Sequence, residues 1–398
     1  MKKMYRYKDG NTLVNVSSSI LKYFGVSPQH KTYEPLDKLL EKNKDKKIVL
    51  FLFDAMGKKT LTTYKDVAPF IYKHKFQTVS AVFPPTTAAS TTSICNALYP
   101  SETGWIGWWA YLNGTLCTSF SSQIYNSEEF MSPTIGETLK YSSIFEQINE
   151  KNGADIACSV QSFALKDSSM KGLIDEVERK LPDKKYIYAY LTEPDHYMHT
   201  LGEINDTTKG IIADIDNQLK NFVERHKDVL ILSLADHDMK NTVPVEYHQD
   251  IFDLAKNHIF SIEPRAATFF VDKDKHELFY NLLKKYYEDD FDIYTKQEVI
   301  DLELFGPKET RSPYFDKLLG DFLLVSTGDK VFTFPNGEAL FANHAGGTEE
   351  ESLIYLSKYN FQKPCSNSNK AFEMIIILFI LLHLNCFFVL SFHLSFYI

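Results

Sequence analysis

Five apolar runs constrain the fold of this 398-residue chain more than any other feature of its sequence. The first run is IVLFLF at residues 48–53, which follows a pair of lysines and leads directly into Asp54. Similar runs follow at residues 76–83, 154–160, 185–191 and 228–235. Near-continuous apolar runs of this length are typical of strands that are buried on both faces of a parallel sheet. The chain therefore needs helices on both sides of its sheet.

Amphipathic helical patterns separate several of these runs. Residues 168–181 begin with serine caps, and residues 207–226 follow the same pattern over a longer stretch, with apolar residues recurring at spacings of three and four. Strands that alternate with helices predict an α/β fold with a mostly parallel central sheet flanked by helices.

The alternation is interrupted once before the chain resumes its strand pattern. Residues 263–318 read as strand, helix, strand, helix, which predicts a smaller α+β cap insertion. We expect residues 1–46 to form an N-terminal extension and residues 47–262 together with 319–360 to form the core. Residues 361–398 are then a linker and a hydrophobic tail.

The tail has two interpretations. Its last 25 residues, 374–398, carry no charged side chain, and 20 of them are hydrophobic. Twenty-five residues exceed the ~20 that span a bilayer as a helix. Lys358, Lys363 and Lys370 precede it, and such lysines favour a cytoplasmic body. Two histidines and an asparagine inside the run are costly in lipid. We therefore expect a cytoplasmic protein whose tail is either a membrane anchor formed by a hydrophobic helix or a coding artefact.

Composition limits the partners of the remaining chain. A formal net charge of -9 and a pI near 5.8 disfavour binding to nucleic-acid polymers. The five cysteines include no CxxC pair, which suits a reducing compartment and argues against a disulfide framework or a cysteine-based zinc site. The basic N-terminus is not followed by an apolar segment, so we expect no secretory signal. A small phosphorylated substrate stays compatible with the acidic balance, because a bound metal ion can supply local positive charge.

Carboxylates and imidazoles cluster where the predicted strands end. Asp54 follows the first run, Asp195 and His199 follow the fourth, and Asp236 with His237 follows the fifth. Ligands of parallel α/β sheets bind at the carboxyl ends of the strands, so these side chains converge on one edge. A helix cap or a surface turn is the alternative for each residue taken alone. Caps do not explain why histidines recur beside the carboxylates.

The spacing of these residues favours a shared metal ion. Asp195 and His199 are four residues apart, which places them on one face of a helix. His344 adds an imidazole in the glycine-rich turn NHAGG. Carboxylates and imidazoles without cysteine are typical of catalytic zinc, manganese or iron sites.

A hydroxyl-rich segment offers a nucleophile. After two prolines, the residues that open an apparent helix are Thr86, Thr87, Ser90, Thr91 and Thr92. A hydroxyl at a helix N-terminus lies in positive potential and near free backbone N–H groups, and a metal ion can activate it. N-capping is the alternative interpretation of these residues.

The chain resembles the alkaline phosphatase superfamily, and within it the type I phosphodiesterase/nucleotide pyrophosphatase family. The resemblance is carried by five motifs in family order: LFDAMG (52–57), FPPTTAASTTSICNALYPSETG (83–104), YLTEPDHYMHTLG (190–202), LADHDM (234–239) and NHAGGTEEE (343–351). It implies an alkaline-phosphatase-like fold. It also implies metal-dependent hydrolysis of phosphodiester or pyrophosphate bonds in a small, nucleotide-like substrate.

The resemblance further implies two divalent metal ions, usually zinc. One ion would be held by Asp54, Thr87, Asp236 and His237, and the other by Asp195, His199 and His344. Thr87 matches the nucleophile of the family, which attacks phosphorus in line and forms a phosphothreonine intermediate. Thr86 is its nearest competitor, and spacing alone does not exclude it.

Substrate contacts are less well specified. Ser90 stands where the family often has an asparagine that donates to a phosphate oxygen. Trp105, Trp108 and Trp109 follow the nucleophile helix and form either a platform for a nucleotide base or part of the core.

The arginine content bears on the type of ester. No arginine occurs between Arg6 and Arg179, and a site without arginine favours a diester over a dianionic monoester. Hydrolysis of a phosphomonoester, a phosphonate or a phospholipid head group on the same site is the alternative activity. A metal-binding pseudoenzyme or membrane-anchored scaffold is the alternative of another class. The sequence leaves the oligomeric state open.

Overall fold

The computed structural model of the protein describes residues 3–8, 10–334 and 340–359. All of them lie in one compact unit, Met1–Tyr359. Within these ranges, no helix combines the length and the apolar character that a bilayer crossing requires. The predicted linker and the tail at 374–398 lie outside the described residues, so the hydrophobic helix stays a prediction.

Helices and strands alternate through the central part of the chain. The α-helices of the described residues are α1 (Leu13–Tyr23), α2 (Glu34–Glu41), α3 (Lys58–Thr63), α4 (Pro69–Lys73), α5 (Thr87–Asn96), α6 (Pro100–Thr103), α7 (Ile135–Thr138), α8 (Ile144–Asn152), α9 (Met170–Lys180), α10 (Asp195–Leu201), α11 (Asp206–Arg225), α12 (Gln249–Leu254), α13 (His276–Tyr287), α14 (Lys296–Asp301), α15 (Pro313–Leu318) and α16 (Glu349–Ser352). The strands are β1 (Ile48–Phe53), β2 (Lys75–Ser80), β3 (Trp109–Leu112), β4 (Thr115–Thr118), β5 (Ala157–Gln161), β6 (Tyr186–Leu191), β7 (Leu230–Leu234), β8 (Lys240–Asn241), β9 (Val243–Pro244), β10 (Ser261–Glu263), β11 (Ala266–Phe269), β12 (Phe291–Thr295), β13 (Phe322–Ser326), β14 (Lys330–Val331), β15 (Ala342–Asn343) and β16 (Leu353–Tyr359). Short 3-10 helices lie at Ser162–Ala164, Lys256–His258 and Lys273–Lys275.

A six-stranded sheet forms the centre of the fold, in the order β2-β16-β7-β1-β6-β5. Strands β5, β6, β1 and β7 pair in parallel, whereas β16 is antiparallel to both β7 and β2. The sheet is therefore mixed, with every strand except β16 running in one direction. The five apolar runs supply β1, β2, β5, β6 and β7, and the predicted α/β fold is confirmed.

Every residue of β1, β6 and β7 is buried, because helices pack on both faces of this sheet. Helix α11 shows how they pack: Ile212, Ile215, Leu219 and Phe222 form its buried stripe at the spacing of an amphipathic helix. The ring of Phe222 meets that of Phe51 edge-on, with 5.4 Å between centroids. Each such fully buried side chain contributes about 1.5–3 kcal/mol, which makes this core the main stabilising feature of the sheet.

A second six-stranded sheet lies beside the first, in the order β12-β13-β11-β10-β3-β4, with antiparallel pairing throughout. The predicted insertion at 263–318 overlaps this sheet. The sheet also takes β3, β4, β13 and most of β10 from outside that range. Strand β3 joins it because the segment after α6 folds back onto β10. The domain boundaries given by the sequence stay a prediction.

The register of the central strands positions the polar residues that follow them. Phe53 pairs with Leu191, and Leu52 pairs with Leu234, so β1, β6 and β7 end at one level. The N–H group of Asp54 continues the ladder by donating to the carbonyl of Leu191 at 3.0 Å. The residues that follow these three strands are therefore brought to one edge of the sheet.

Candidate metal centre and active site

The structure brings the six predicted carboxylate and imidazole ligands into two groups. One group comprises the buried residues Asp54, Asp236 and His237, and the other comprises the half-buried residues Asp195, His199 and His344. Within each group, one potential ligand atom from each residue lies within 4.8 Å of the others. The rings of His237 and His344 have centroids 4.0 Å apart, so the two groups adjoin. This partition is the one that the family resemblance implies.

A short helix and a short strand bring together the residues of the second group, Asp195, His199 and His344. Asp195 and His199 lie one turn apart in α10, with Nε2 of His199 at 3.4 Å from Oδ2 of Asp195. His344 directly follows β15, a short strand that pairs with β8 after the loop of Asp236. Helix α10 and strand β15 also contact each other. Two segments that are distant in the sequence thus converge on the ends of β6 and β7.

Backbone carbonyls orient two of the imidazoles. Nδ1 of His199 lies 2.7 Å from the carbonyl of Ala342, and Nδ1 of His237 lies 3.2 Å from the carbonyl of Asp238. A carbonyl oxygen only accepts, so the proton of each neutral ring resides on Nδ1. In that tautomer Nε2 of each ring carries the lone pair that can bind a cation, an arrangement typical of histidine ligands.

The side chain of Asp238 connects the loop after β7 to the start of α3 through hydrogen bonds. Its Oδ2 accepts from the N–H groups of Lys59 at 2.6 Å and Thr60 at 3.0 Å, and its Oδ1 accepts from the Thr60 hydroxyl at 2.6 Å. Asp238 therefore caps a helix whose own N-cap residue, Gly57, has no side chain. A Cβ atom on Gly57 would lie 2.6 Å from this carboxylate, so the close approach requires glycine. Burial raises the pKa of Asp238 to about 7 despite these hydrogen bonds.

The pKa values of the first group, Asp54, Asp236 and His237, are shifted by burial and by the mutual repulsion of its carboxylates. Burial and the charge of Asp195 raise the pKa of Asp54, and burial together with Asp54 raises the pKa of Asp236 to about 8. Burial opposes a charge on His237, but Asp236 and Asp54 outweigh it and raise the pKa of this imidazole to about 10. The pKa of His344 falls well below its ordinary value because of burial and of the neighbouring His237. Asp54 and Asp236 thus stabilise positive charge beside them, which a bound cation would supply in place of a proton on His237.

The residues present fit metal ions. The buried oxygens Asp195 Oδ1 and Asp236 Oδ2 have no hydrogen-bond partner among the described residues. An unsatisfied buried acceptor costs about 1–3 kcal/mol, and a cation bound at these oxygens would remove that cost. Carboxylate oxygens and imidazole nitrogens without cysteine are also the donor set of catalytic zinc and manganese.

The two adjacent threonines have different surroundings. Thr87 is the first residue of α5, and its hydroxyl lies 3.4 Å from Oδ1 of Asp54 and 3.1 Å from Nε2 of His237. The hydroxyl of Thr86 donates to Oε1 of Glu263 at 2.5 Å, and Thr86 has no exposed surface. Of this pair, the structure brings only Thr87 to the ligand groups.

A cavity of about 430 Å³ opens beside these groups. Its lining includes Thr87, Trp108, Trp109, Glu263 and His344, and no lysine or arginine among the described residues lines it. A larger cavity of about 740 Å³ lies near the start of β1, but its lining includes none of the predicted ligands. The smaller cavity is therefore the candidate substrate site.

The predicted substrate contacts differ in how they relate to this cavity. Trp108 lines it and is 41% exposed. Trp105 lies in the core of the second sheet and donates its Nε1 hydrogen to the carbonyl of Leu139 at 3.1 Å. Ser90 has no exposed surface and is not part of the lining. A ligand in the cavity therefore reaches Trp108 but meets neither Trp105 nor Ser90 in this conformation.

Two residues of the site escaped the sequence analysis. Tyr190, at the end of β6, donates its buried hydroxyl to Oδ2 of Asp54. The sequence signal for Tyr190 is its position near the end of the strand that leads into Asp195. Tyr186 and Tyr188 lie on the same strand but further from the edge of the sheet where the ligands gather. Glu263 has no comparable signal, because its strand β10 belongs to the second sheet and reaches the site only through tertiary packing.

Comparisons with known proteins concern the family and the fold. The family model described as type I phosphodiesterase / nucleotide pyrophosphatase matches residues 48–350. No curated protein sequence matches the chain significantly. The structure is similar to that of murine ectonucleotide pyrophosphatase / phosphodiesterase 5, an inactive variant solved in complex with AMP, with a TM-score of 0.59, 16% identity and coverage of 79% of this chain and 88% of that chain. The human protein of the same name gives a TM-score of 0.57 and 14% identity over the same shares.

Proposed function

The chain belongs to the type I phosphodiesterase/nucleotide pyrophosphatase family of the alkaline phosphatase superfamily, and from this membership we propose that it hydrolyses phosphodiester or pyrophosphate bonds with Thr87 as the nucleophile. Members of this family depend on metal ions. One observation carries the proposal: the hydroxyl of Thr87 lies between Asp54 and His237 of one ligand group, and the second group adjoins it.

Two divalent cations, zinc with manganese or iron as alternatives, fit the ligand groups. Asp54, Asp236 and His237 would hold one of them together with Thr87. The half-buried group around His199 would hold the other. When bound, such ions lower the pKa of an attacking hydroxyl and neutralise the charge that develops on phosphoryl oxygens.

The residues of the chain account for the remaining steps. Oγ1 of Thr87 releases its proton to solvent and attacks phosphorus in line, and the bond between phosphorus and the leaving oxygen breaks. The leaving group departs with the bonding electron pair and takes a proton from solvent. Water then attacks the phosphothreonine, which restores the hydroxyl and releases the phosphorylated product. The first-turn N–H groups of α5 lie at the positive end of the helix dipole and favour the anionic phosphoryl group.

The cavity supports a small, nucleotide-like substrate. Trp108 and Trp109 supply aromatic surface, and a nucleobase stacks on such surface with about 1–3 kcal/mol per base. The absence of a lysine or arginine from the described lining favours a diester over a dianionic monoester. The AMP complex of the murine relative agrees with this substrate class. Monoester, phosphonate or phospholipid head-group hydrolysis is the alternative on the same site, and a metal-binding pseudoenzyme is the alternative without activity.

Hydrolysis of bis(p-nitrophenyl) phosphate tests the proposal. We expect metal-dependent release of p-nitrophenol that a chelator abolishes and that zinc or manganese restores. Thr87→Ala should lower the rate by roughly 10³-fold or more, as loss of a nucleophile does in other hydrolases. Thr91→Ala is the matched control, because the Thr91 hydroxyl donates to the carbonyl of Thr87 rather than facing the ligand groups. Full activity of Thr87→Ala, or activity that survives chelation, would refute the proposal.

The cellular location is a separate proposal from the sequence. We propose a cytoplasmic protein that is tail-anchored through residues 374–398, with a coding artefact as the alternative for that segment. Membrane fractionation of the full chain and of a chain that ends at residue 370 distinguishes them. An anchor predicts that only the full chain sediments with membranes.

A further inference from the structure

Glu263 is a buried carboxylate in the wall of the candidate substrate cavity. It ends strand β10 of the second sheet and is only 4% exposed. Its Oε1 accepts two hydrogen bonds, from the hydroxyl of Thr86 at 2.5 Å and from the N–H group of Trp108 at 2.8 Å. The side chain is therefore held between Thr86, the neighbour of Thr87, and Trp108, an aromatic residue of the cavity lining.

The second oxygen of this carboxylate has acceptor capacity to spare. Both recorded hydrogen bonds end on Oε1, and no donor among the described residues is recorded for Oε2. A carboxylate has about four lone-pair sites, so two donors leave it half satisfied. Because Oε1 is turned toward Thr86 and Trp108 while the residue lines the cavity, Oε2 is the acceptor that it offers to a ligand.

The described lining of the cavity provides no lysine or arginine to pair with this carboxylate. Trp109 and Phe334 present aromatic surface there, with ring centroids 5.0 Å apart. Burial raises the pKa of Glu263 to about 7, although the hydrogen bonds from Thr86 and Trp108 and the charges of His237 and His199 lower it. A buried polar group in such a wall discriminates strongly against ligands that leave it unpaired.

We propose that Glu263 is a specificity residue that accepts a hydrogen bond from an N–H or O–H donor on the organic group of the substrate. This inference rests on the proposed function, since it names the class of phosphoric ester that the same site selects. Glu263 and Thr87 line the same cavity, so a substrate whose donor is close to phosphorus can reach both. The hydroxyls of a ribose 5′-phosphate and the amine of phosphoethanolamine share this chemistry. The aromatic surface of Trp109 and Phe334 favours the nucleotide over phosphoethanolamine.

Calorimetric titration of the zinc-loaded protein tests this with three probes. AMP and phosphoethanolamine carry donors near phosphorus, whereas methyl phosphate carries none on its organic group. We expect wild type to bind AMP more tightly than methyl phosphate. Glu263→Gln, which keeps the shape but removes an acceptor oxygen, should weaken AMP by about 10- to 100-fold and leave methyl phosphate unchanged. The same loss for phosphoethanolamine instead of AMP would identify a head group as the source of the donor.

Asp292→Asn is the matched control, because Asp292 is a buried carboxylate of the second sheet that accepts from the N-terminal backbone and does not line the cavity. It should leave all three affinities unchanged. An equal loss for AMP and methyl phosphate in Glu263→Gln, or no loss for either donor-bearing probe, overturns the inference. If that variant does not fold, equal binding of all three probes by wild type overturns it. Hydrolysis of methyl p-nitrophenyl phosphate, which lacks a donor, reports on the proposed function independently.

Discussion

Tyr190 donates its buried hydroxyl to Oδ2 of Asp54 at the edge where β6 and β1 end. The other oxygen of the same carboxylate, Oδ1, lies 3.3 Å from Nε2 of His237 and 3.4 Å from the hydroxyl of Thr87. One oxygen of Asp54 is thus held by the protein, and the other is presented to the ligand group. Hydrogen bonds of this kind fix a metal-ligating carboxylate and raise the affinity of its site.

Tyr190→Phe should therefore weaken metal binding without disturbing the fold. We expect zinc affinity to fall by about 10- to 100-fold, measured by competition with a chromophoric chelator. Tyr186→Phe is the matched control, since Tyr186 lies on the same strand and its buried hydroxyl has no hydrogen-bond partner among the described residues. The control should bind zinc like wild type. Equal affinities of all three proteins would show that the Tyr190 hydroxyl has no role in orienting Asp54.

Removal of metal should lower the thermal stability of the protein. The buried carboxylates Asp54 and Asp236 repel each other, and each has its pKa raised by burial and by a neighbouring carboxylate. A ligand present at 100 times its Kd adds about 2.7 kcal/mol to the free energy of unfolding. Scanning calorimetry should thus give a lower Tm after chelation. Asp195→Asn, which lacks a ligand of the second group, should show a smaller shift, and an unchanged Tm in wild type would contradict the prediction.

Much of the fold was predictable because its signals are local. The run that forms β1 is apolar at every position, which only a strand buried on both faces tolerates. Asp195 and His199 are paired by helical geometry, and the structure places them in one helix, α10. Such features depend on spacing within a few residues, so the sequence carries them without knowledge of tertiary structure.

The substrate side of the site was less predictable because it depends on packing between distant segments. Helix α5 buries most of its residues, so the hydroxyl of Ser90 points into protein although it follows Thr87 by less than one turn. Trp105 and Trp108 are three residues apart, yet one fills the core of the second sheet and the other lines the cavity. Glu263 reaches the same cavity through the pairing of β10 with β3, which no local pattern announces.

Gly57→Ala should destabilise the protein by about 1–3 kcal/mol, the usual cost of forcing an extra carbon into a packed site. The backbone of Gly57 is at φ -71°, which alanine adopts readily, so the cost arises from the 2.6 Å approach to the Asp238 carboxylate. Gly210→Ala in α11 is the control, because no atom lies within 4 Å of its added Cβ. That change should stabilise the protein slightly. Chemical denaturation measures both, and equal effects would exclude a steric role for Gly57.

A buried ion pair supports the loop that carries His344. Nε and Nη2 of Arg265 donate to the two carboxylate oxygens of Glu351 at 2.8 Å each, and both side chains are fully buried. Oε1 of Glu351 also accepts from the N–H group of Gly346 at 2.8 Å, two residues after His344. Glu351→Gln should destabilise the protein by about 3–5 kcal/mol, because it leaves the Arg265 charge buried and unpaired.

The same pair predicts how this loss depends on pH. Burial alone would raise the pKa of Glu351, but the Arg265 guanidinium, the Thr348 hydroxyl and the Gly346 N–H group outweigh it and hold the pKa below its ordinary value. A carboxyl with a depressed pKa in the folded state contributes stability that is fully present above its unfolded pKa of about 4.3 and is lost as pH falls through the folded pKa. The difference in free energy of unfolding between wild type and Glu351→Gln should thus be constant above about pH 5 and shrink below about pH 4.

Urea denaturation from pH 3 to pH 7 measures this difference, and the neighbouring Glu350 provides the control. Glu350 is half exposed and pairs with Lys240 at 2.6 Å on the surface, so Glu350→Gln should cost no more than about 1 kcal/mol at any pH. If the difference in free energy of unfolding between wild type and Glu351→Gln stays constant down to pH 3, protonation of Glu351 does not contribute to the loss of stability at low pH. In that case the hydrogen bonds of its carboxylate to Gly346 and Thr348, and not its charge, would be what holds the His344 loop against the second sheet.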